Sequence, residues 1–176
     1  KEVIVSGYAK GVDRWSLESS LKLNGQNIIV LPQGITTFST GYKKLYREIL
    51  SGKVLIISTF HSKARWNAGL AMARNQIIYA LGNSIYVAES DNKGGTWTGV
   101  IDGLKKNRSI YIRYPDENEN NANLTLIKKG AKAIDFNGNI VEVSKEILNS
   151  FASQKNIINA VVKFLKKNDK SDTLFG

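Results

Sequence analysis

Short, uninterrupted apolar runs alternate with stretches of helical periodicity along this chain, and that alternation restricts its fold more than any other feature. Val3-Ile4-Val5, Ile28-Ile29-Val30-Leu31, Val54-Leu55-Ile56-Ile57, Ile85-Tyr86-Val87-Ala88 and Ser109-Ile110-Tyr111-Ile112 read as strands. Continuous hydrophobicity marks strands buried on both faces, the habit of parallel sheets. Helices are expected between them, over 13–23, 42–50, 64–81 and 97–106. Asp13 is read as the first N-cap, with Gly52 and Gly82 as helix stops. The expected fold class is therefore α/β, a doubly wound and mainly parallel sheet with helices on both faces.

After Pro115 the texture changes. Residues 116–123 are acidic and Asn-rich and read as a mobile loop, 124–129 as a short helix, and 133–143 as a hairpin turning at Asn137-Gly138. Ser144 is expected to open a last helix, in which Ile147, Leu148, Phe151, Ile158, Val161, Val162 and Leu165 recur at helical spacing. The organisation expected is one domain over 1–143, with 144–176 an amphipathic helix and polar tail packed on it.

Composition narrows the function. The 176 residues include no cysteine and a single histidine, so a thiolate zinc site, a His-rich metal centre and a Ser-His triad all lack their parts. No metal or cofactor is expected, and a reducing, cytoplasmic setting suits a chain without thiols. No apolar run approaches the length that crosses a bilayer, so no membrane partner is expected. The net charge of +10 points instead to a polyanion. It is uneven: residues 1–88 carry 11 basic and 4 acidic side chains, residues 89–176 carry 14 and 11. The chain begins at Lys1 and its one methionine is Met72, which reads as a piece of a longer protein.

In parallel α/β sheets ligands collect beyond the carboxyl ends of the strands. Three glycine-bearing loops fall there: Ser6-Gly7-Tyr8-Ala9-Lys10-Gly11, Pro32-Gln33-Gly34 and Lys93-Gly94-Gly95-Thr96. Their backbone amides are candidates for an anion site. Neither a P-loop nor a dinucleotide fingerprint is present. Lys10, Arg74 and Lys93 are placed to neutralise phosphates, with Asn75 beside them. Tyr8, Phe60 and Trp97 are the candidates for stacking on unpaired bases, although Trp97 also suits core packing at a helix start. Trp15 and Trp66, inside predicted helices, read as core. Glu89 ends a strand at the site's edge and is the one candidate for a catalytic carboxylate, with a polar partner of ligand and an acceptor for loop amides as the other readings. His61 reads as a satisfied loop histidine, and Lys166, Lys167 and Lys170 as a solvated tail.

These residues carry a resemblance. Ser6-Gly7-Tyr8-Ala9-Lys10-Gly11-Val12-Asp13 resembles the opening signature of the DNA-processing protein A (DprA, or Smf) family. Arg74-Asn75-Gln76-Ile77-Ile78 is similar to that family's RNR-I-I helix, and Lys93-Gly94-Gly95-Thr96 to its strand-end S-G-S/T loop. Asn123-Leu124-Thr125-Leu126-Ile127-Lys128-Lys129-Gly130-Ala131 is similar to the N-x-L-I-x-x-G-A segment that ends the fold. The resemblance implies an extended Rossmann-like domain that binds single-stranded DNA in a basic pocket, without catalysis. It also implies loading of a RecA-type recombinase, natural transformation as one setting, and pairing as a homodimer. The family's opening strand and G-S-R loop are expected before Lys1. Leu17, Ala71-Met72 and Gln76 depart from its usual His, Phe-Pro and second Arg.

Two rival readings use the same fold: a sensor of a nucleotide derivative, and a phosphoribohydrolase of the lysine-decarboxylase-like family. The hydrolase needs a carboxylate just after its glycine loop, whereas here none follows Thr96 before Asp102.

Overall fold

The computed structural model describes residues 2–116 and 119–144. The expected helix beyond Ser144 and its tail lie outside the described residues. Strands β1 (Val3–Ser6), β2 (Gln26–Val30) and β3 (Val54–Ile57) form one parallel sheet in the order β1-β2-β3. Strands β4 (Ser84–Val87), β5 (Ser109–Arg113) and β6 (Lys132–Ile134) form a second, also parallel, and β7 (Ile140–Val141) closes it antiparallel through the Asn137-Gly138 turn. Every apolar run predicted as a strand is one. The sheet is split, however: β1 and β4 each carry no strand on their outer edge among the described residues.

Register decides what each half buries. Ile29 pairs with Ile56 and Asn27 with Val54, so Ile29, Leu31, Val54 and Ile56 share one face and meet Leu17 of helix α1 (Val12–Lys22). Helices α2 (Ser39–Lys44) and α3 (Tyr46–Leu50) complete that layer through Tyr42, Leu45 and Ile49. In the second half Ile85, Val87, Ile110, Ile112 and Ala133 pack under Val100, Leu126 and Ile127 of helices α5 (Gly95–Lys105) and α6 (Asn123–Lys128). Helix α4 (Ala68–Leu81) packs on β1, β2 and α5, and so joins the halves. None of the described helices is long and apolar enough to cross a membrane.

Three expectations need correction. Asp13 lies inside α1, and Gly11, at φ 97°, takes the N-cap position. Residues 42–50 are not one helix, because the backbone breaks at Leu45, whose side chain turns into the core. Helix α4 starts at Ala68 rather than at 64, with the Asn67 side chain accepting from the Leu70 amide at 2.8 Å. The residues before it are taken up by a loop docked on 34–37. There Gly34 N–H donates to Ala64 O at 2.8 Å and the Thr36 hydroxyl to Ser62 O at 2.6 Å.

One polar side chain holds the second half's strand ends. Asn123 is fully buried; its Oδ1 accepts from Ser90 N–H at 3.0 Å and its Nδ2 donates to the carbonyls of Ala88 and Arg113, each at 2.9 Å. Removing it strands one donor and two acceptors in the interior. Asn123→Ala is expected to lose about 3 kcal/mol of stability, read as a lower urea midpoint at unchanged slope.

Candidate nucleic-acid interface

The first glycine loop is built around a carboxylate of its own chain. Asp13 Oδ2 accepts from the amides of Gly7 at 3.0 Å and Ala9 at 3.1 Å, which bends the loop back onto α1. Tyr8 between them sits at φ 57°, a left-handed conformation that costs a non-glycine residue on the order of 1 kcal/mol. That turn throws its ring edge-on to Phe38, with centroids 5.5 Å apart, and under the Arg14 guanidinium at 4.8 Å. The Gly7 and Ala9 amides are therefore spent on Asp13, which corrects the expectation that this loop is an open anion cradle.

Arg74 closes the construction from the other side. It reaches from α4 to donate to Val30 O, at the end of β2, at 2.7 Å. Only 6% of the residue is exposed, and a Cβ at Gly7 would overlap its guanidinium. Burial lowers its affinity for the proton, opposed by the attraction of Asp13 and of Tyr79. Its buried Nε has no hydrogen-bond partner among the described residues. Arg74 is thus a buried strut with one face on a cleft, and not the exposed phosphate contact expected from sequence.

The cleft, of about 530 Å³, opens between this loop, the end of β2, α2 and the start of α4. Lys10, Arg14, Lys44 and Arg74 line it with Tyr8, Phe38 and Trp66, and among the described residues no carboxylate does. Gln33 also lines it, with Nε2 donating to the Thr37 hydroxyl at 3.0 Å. A second, shallower depression of about 430 Å³ gathers Glu89, Asp91, Lys93, Gly94, Gly95 and Thr96. Gly94, at φ 92°, leads into α5 with no side chain capping that helix.

Helix α4 is the wall between them. Ala71 and Arg74 border the cleft, while Met72 and Asn75 lie against Gly95, where a Cβ would sit 2.9 Å from Asn75 Nδ2. Of the residues picked out in sequence, Gly7, Tyr8, Lys10, Gln33 and Arg74 therefore meet in one place. Glu89, Lys93, Gly94, Gly95 and Thr96 meet in another, with Asn75 at its edge. Three line neither. Ser6 is buried at the end of β1, Gly11 caps α1, and Gly34 is buried against the carbonyls of His61 and Ser62.

The aromatic assignments also change. Trp97 packs on the core of the second half and Phe60 lines neither depression. Trp15 and Trp66, expected in the core, are 68% and 60% exposed. Arg14, Lys44 and Trp66 were missed as site residues. Asn67 as an N-cap was the signal that places Trp66 outside the helix; Lys44 reaches the cleft only through tertiary packing. His61 is a loop histidine as expected, its Nδ1 accepting from Lys63 N–H at 3.3 Å.

Comparison with known proteins agrees with this architecture. The family model of DNA recombination-mediator protein A matches residues 1–145. The chain belongs to that family. It is 31% identical over 133 residues to protein Smf of Synechocystis, covering 74% of this chain and 33% of that protein. It is 27% identical over 109 residues to the DNA processing protein DprA of Streptococcus pneumoniae, covering 62% of this chain and 39% of that one. The chain thus spans well under half the length of these curated relatives.

Among solved structures, the Streptococcus pneumoniae protein superposes with a TM-score of 0.66 at 25% identity, over 75% of this chain and 47% of that one. The Helicobacter pylori DNA processing protein A superposes with a TM-score of 0.65 at 26% identity, over 86% of this chain and 66% of that one; its structure describes a single-stranded DNA binding mode. The Rossmann-like fold and the family expected from the motifs are both met.

The contact between Gly7 and Arg74 is testable by coupling. Gly7→Ala is expected to destabilise by about 1–3 kcal/mol because the added methyl has no room beside the guanidinium. Combined with Arg74→Ala, which vacates that room, the two losses are expected to fall short of additive in a double-mutant cycle of denaturant midpoints.

Proposed function

We propose that this chain binds single-stranded DNA in the cleft beside Arg74, and that it does so as a binding protein rather than a catalyst. One observation carries the reading: the cleft combines four cationic side chains and three aromatic ones and, among the described residues, no carboxylate. Such a surface attracts phosphates and repels nothing anionic, and an exposed aromatic ring within it suits an unstacked base. The Helicobacter pylori relative's single-stranded DNA binding mode supports the same ligand. Membership of the recombination-mediator family supports a wider role in DNA processing, including transformation. In that role the chain, in the cytoplasm and as a homodimer, passes the bound strand to a RecA-type recombinase.

The second depression does not favour the hydrolase reading. Its carboxylates, Glu89 and Asp91, precede the glycines. The first carboxylate after them, Asp102, pairs with Lys106 at 2.7 Å on the exposed side of α5.

A titration with oligo-dT across a salt series tests the proposal. Log affinity is expected to fall linearly with log salt, each phosphate contact adding about 0.7 to the slope. Lys10→Glu with Lys44→Glu, both exposed, is expected to weaken binding and flatten that slope by roughly 1.4. No binding at low salt, or an unchanged slope in the double variant, sinks the cleft as the DNA site. Release of free base from AMP would establish the hydrolase instead.

A further inference from the structure

We infer that Trp66 is the base-stacking residue of the cleft, so that the site selects unpaired strands by holding a base and not by phosphate attraction alone. This rests on the cleft being the DNA site. Of the three aromatic rings that line the cleft, two are already engaged within the protein.

Tyr8 is committed: its face lies under Arg14 at 4.8 Å and its ring meets Phe38 nearly perpendicular, at 85°. Phe38 is committed twice over, wedged between Tyr8 and Tyr42 with centroids 5.5 and 5.9 Å away and pressed on Gly41, where a Cβ would overlap its ring. Trp66 alone of the three stacks on no ring and lies under no cation among the described residues. It is 60% exposed, directly before the Asn67 cap that fixes the start of α4. A large flat ring directly before a helix start, open to solvent and in one cleft with Lys10 and Lys44, is a platform that any base fits, since every base has a π-face.

Duplex DNA keeps its bases stacked on one another and offers this ring none. The exposed ring therefore supplies discrimination that the lysines, which see only phosphates, do not. Trp15 is comparably exposed but lies outside the cleft, and serves as its control.

The test uses the full chain with two probes of equal length and charge, oligo-dT and an abasic oligodeoxynucleotide. Trp66→Ala is expected to weaken oligo-dT binding about 5- to 150-fold, the range that loss of one stacked base spans, with the salt slope unchanged. Abasic binding is expected to be the same in Trp66→Ala as in the parent chain. Trp66→Phe, which keeps a ring, restores most of the affinity and guards against a folding defect in the alanine variant. Trp15→Ala changes neither probe.

Equal affinity of Trp66→Ala and the parent chain for oligo-dT overturns the assignment of Trp66 while leaving the cleft as the site. So does a steeper loss on the abasic probe than on oligo-dT. Binding of neither probe by the parent chain overturns both.

Discussion

The buried guanidinium of Arg74 is the part on which the site's geometry depends. It bonds the end of β2, lies against Gly7, and draws on the negative charge of Asp13, whose carboxylate in turn gathers the amides of Gly7 and Ala9. A charge so far from water is tolerated only when such partners surround it, and removing any one leaves the others exposed to the full cost of burial. Because Arg74 sits on α4, the helix shared by both half-sheets, the same interaction ties the first strand's loop to the second half of the molecule.

The glycines act mostly as clearance and not as ligand contacts. Gly7 admits Arg74, Gly41 admits Phe38, and Gly34 admits a neighbouring loop. Along α5, Gly95, Gly99 and Gly103 fall at every fourth position and let Asn75, Tyr79 and Ile110 approach its backbone. Tyr79 pays for that closeness in its chemistry: burial raises the pKa of its phenol, although nearby Arg74 opposes the rise. Close packing of α4 on α5 is thus set by small residues on one helix and large ones on the other.

How much of this was readable beforehand divides along a physical line. Strand positions were, because an apolar run bounded by turns states its own burial, and so was the Asn137-Gly138 hairpin. So were the loops at the strand ends, which glycine content beyond the carboxyl ends of the predicted strands picks out. The roles within those loops were not readable, because they depend on which partner arrives from a distant part of the chain. Nothing local says that Asp13 will satisfy the first loop, or that Arg74 will point inward. Trp66 was misassigned because a tryptophan near a helical stretch is usually core; it lies outside α4 because Asn67 caps the start of that helix one residue after the ring. The division of the chosen residues into two depressions was hidden for the same reason, since only packing shows that Arg74 borders the cleft while its neighbour Asn75 lies against Gly95.

The open edges of β1 and β4 bear on how this molecule keeps company with copies of itself. Neither edge pairs with a strand among the described residues, and on β1 the side chains of Val3 and Ile4 are partly exposed. Unpaired edges invite further strands, while like charge on bodies that each carry +10 opposes their approach. Added salt shortens the reach of that repulsion without touching the edges themselves. The ionic conditions that loosen a bound polyanion are therefore also those that weaken the charge repulsion opposing edge-to-edge pairing.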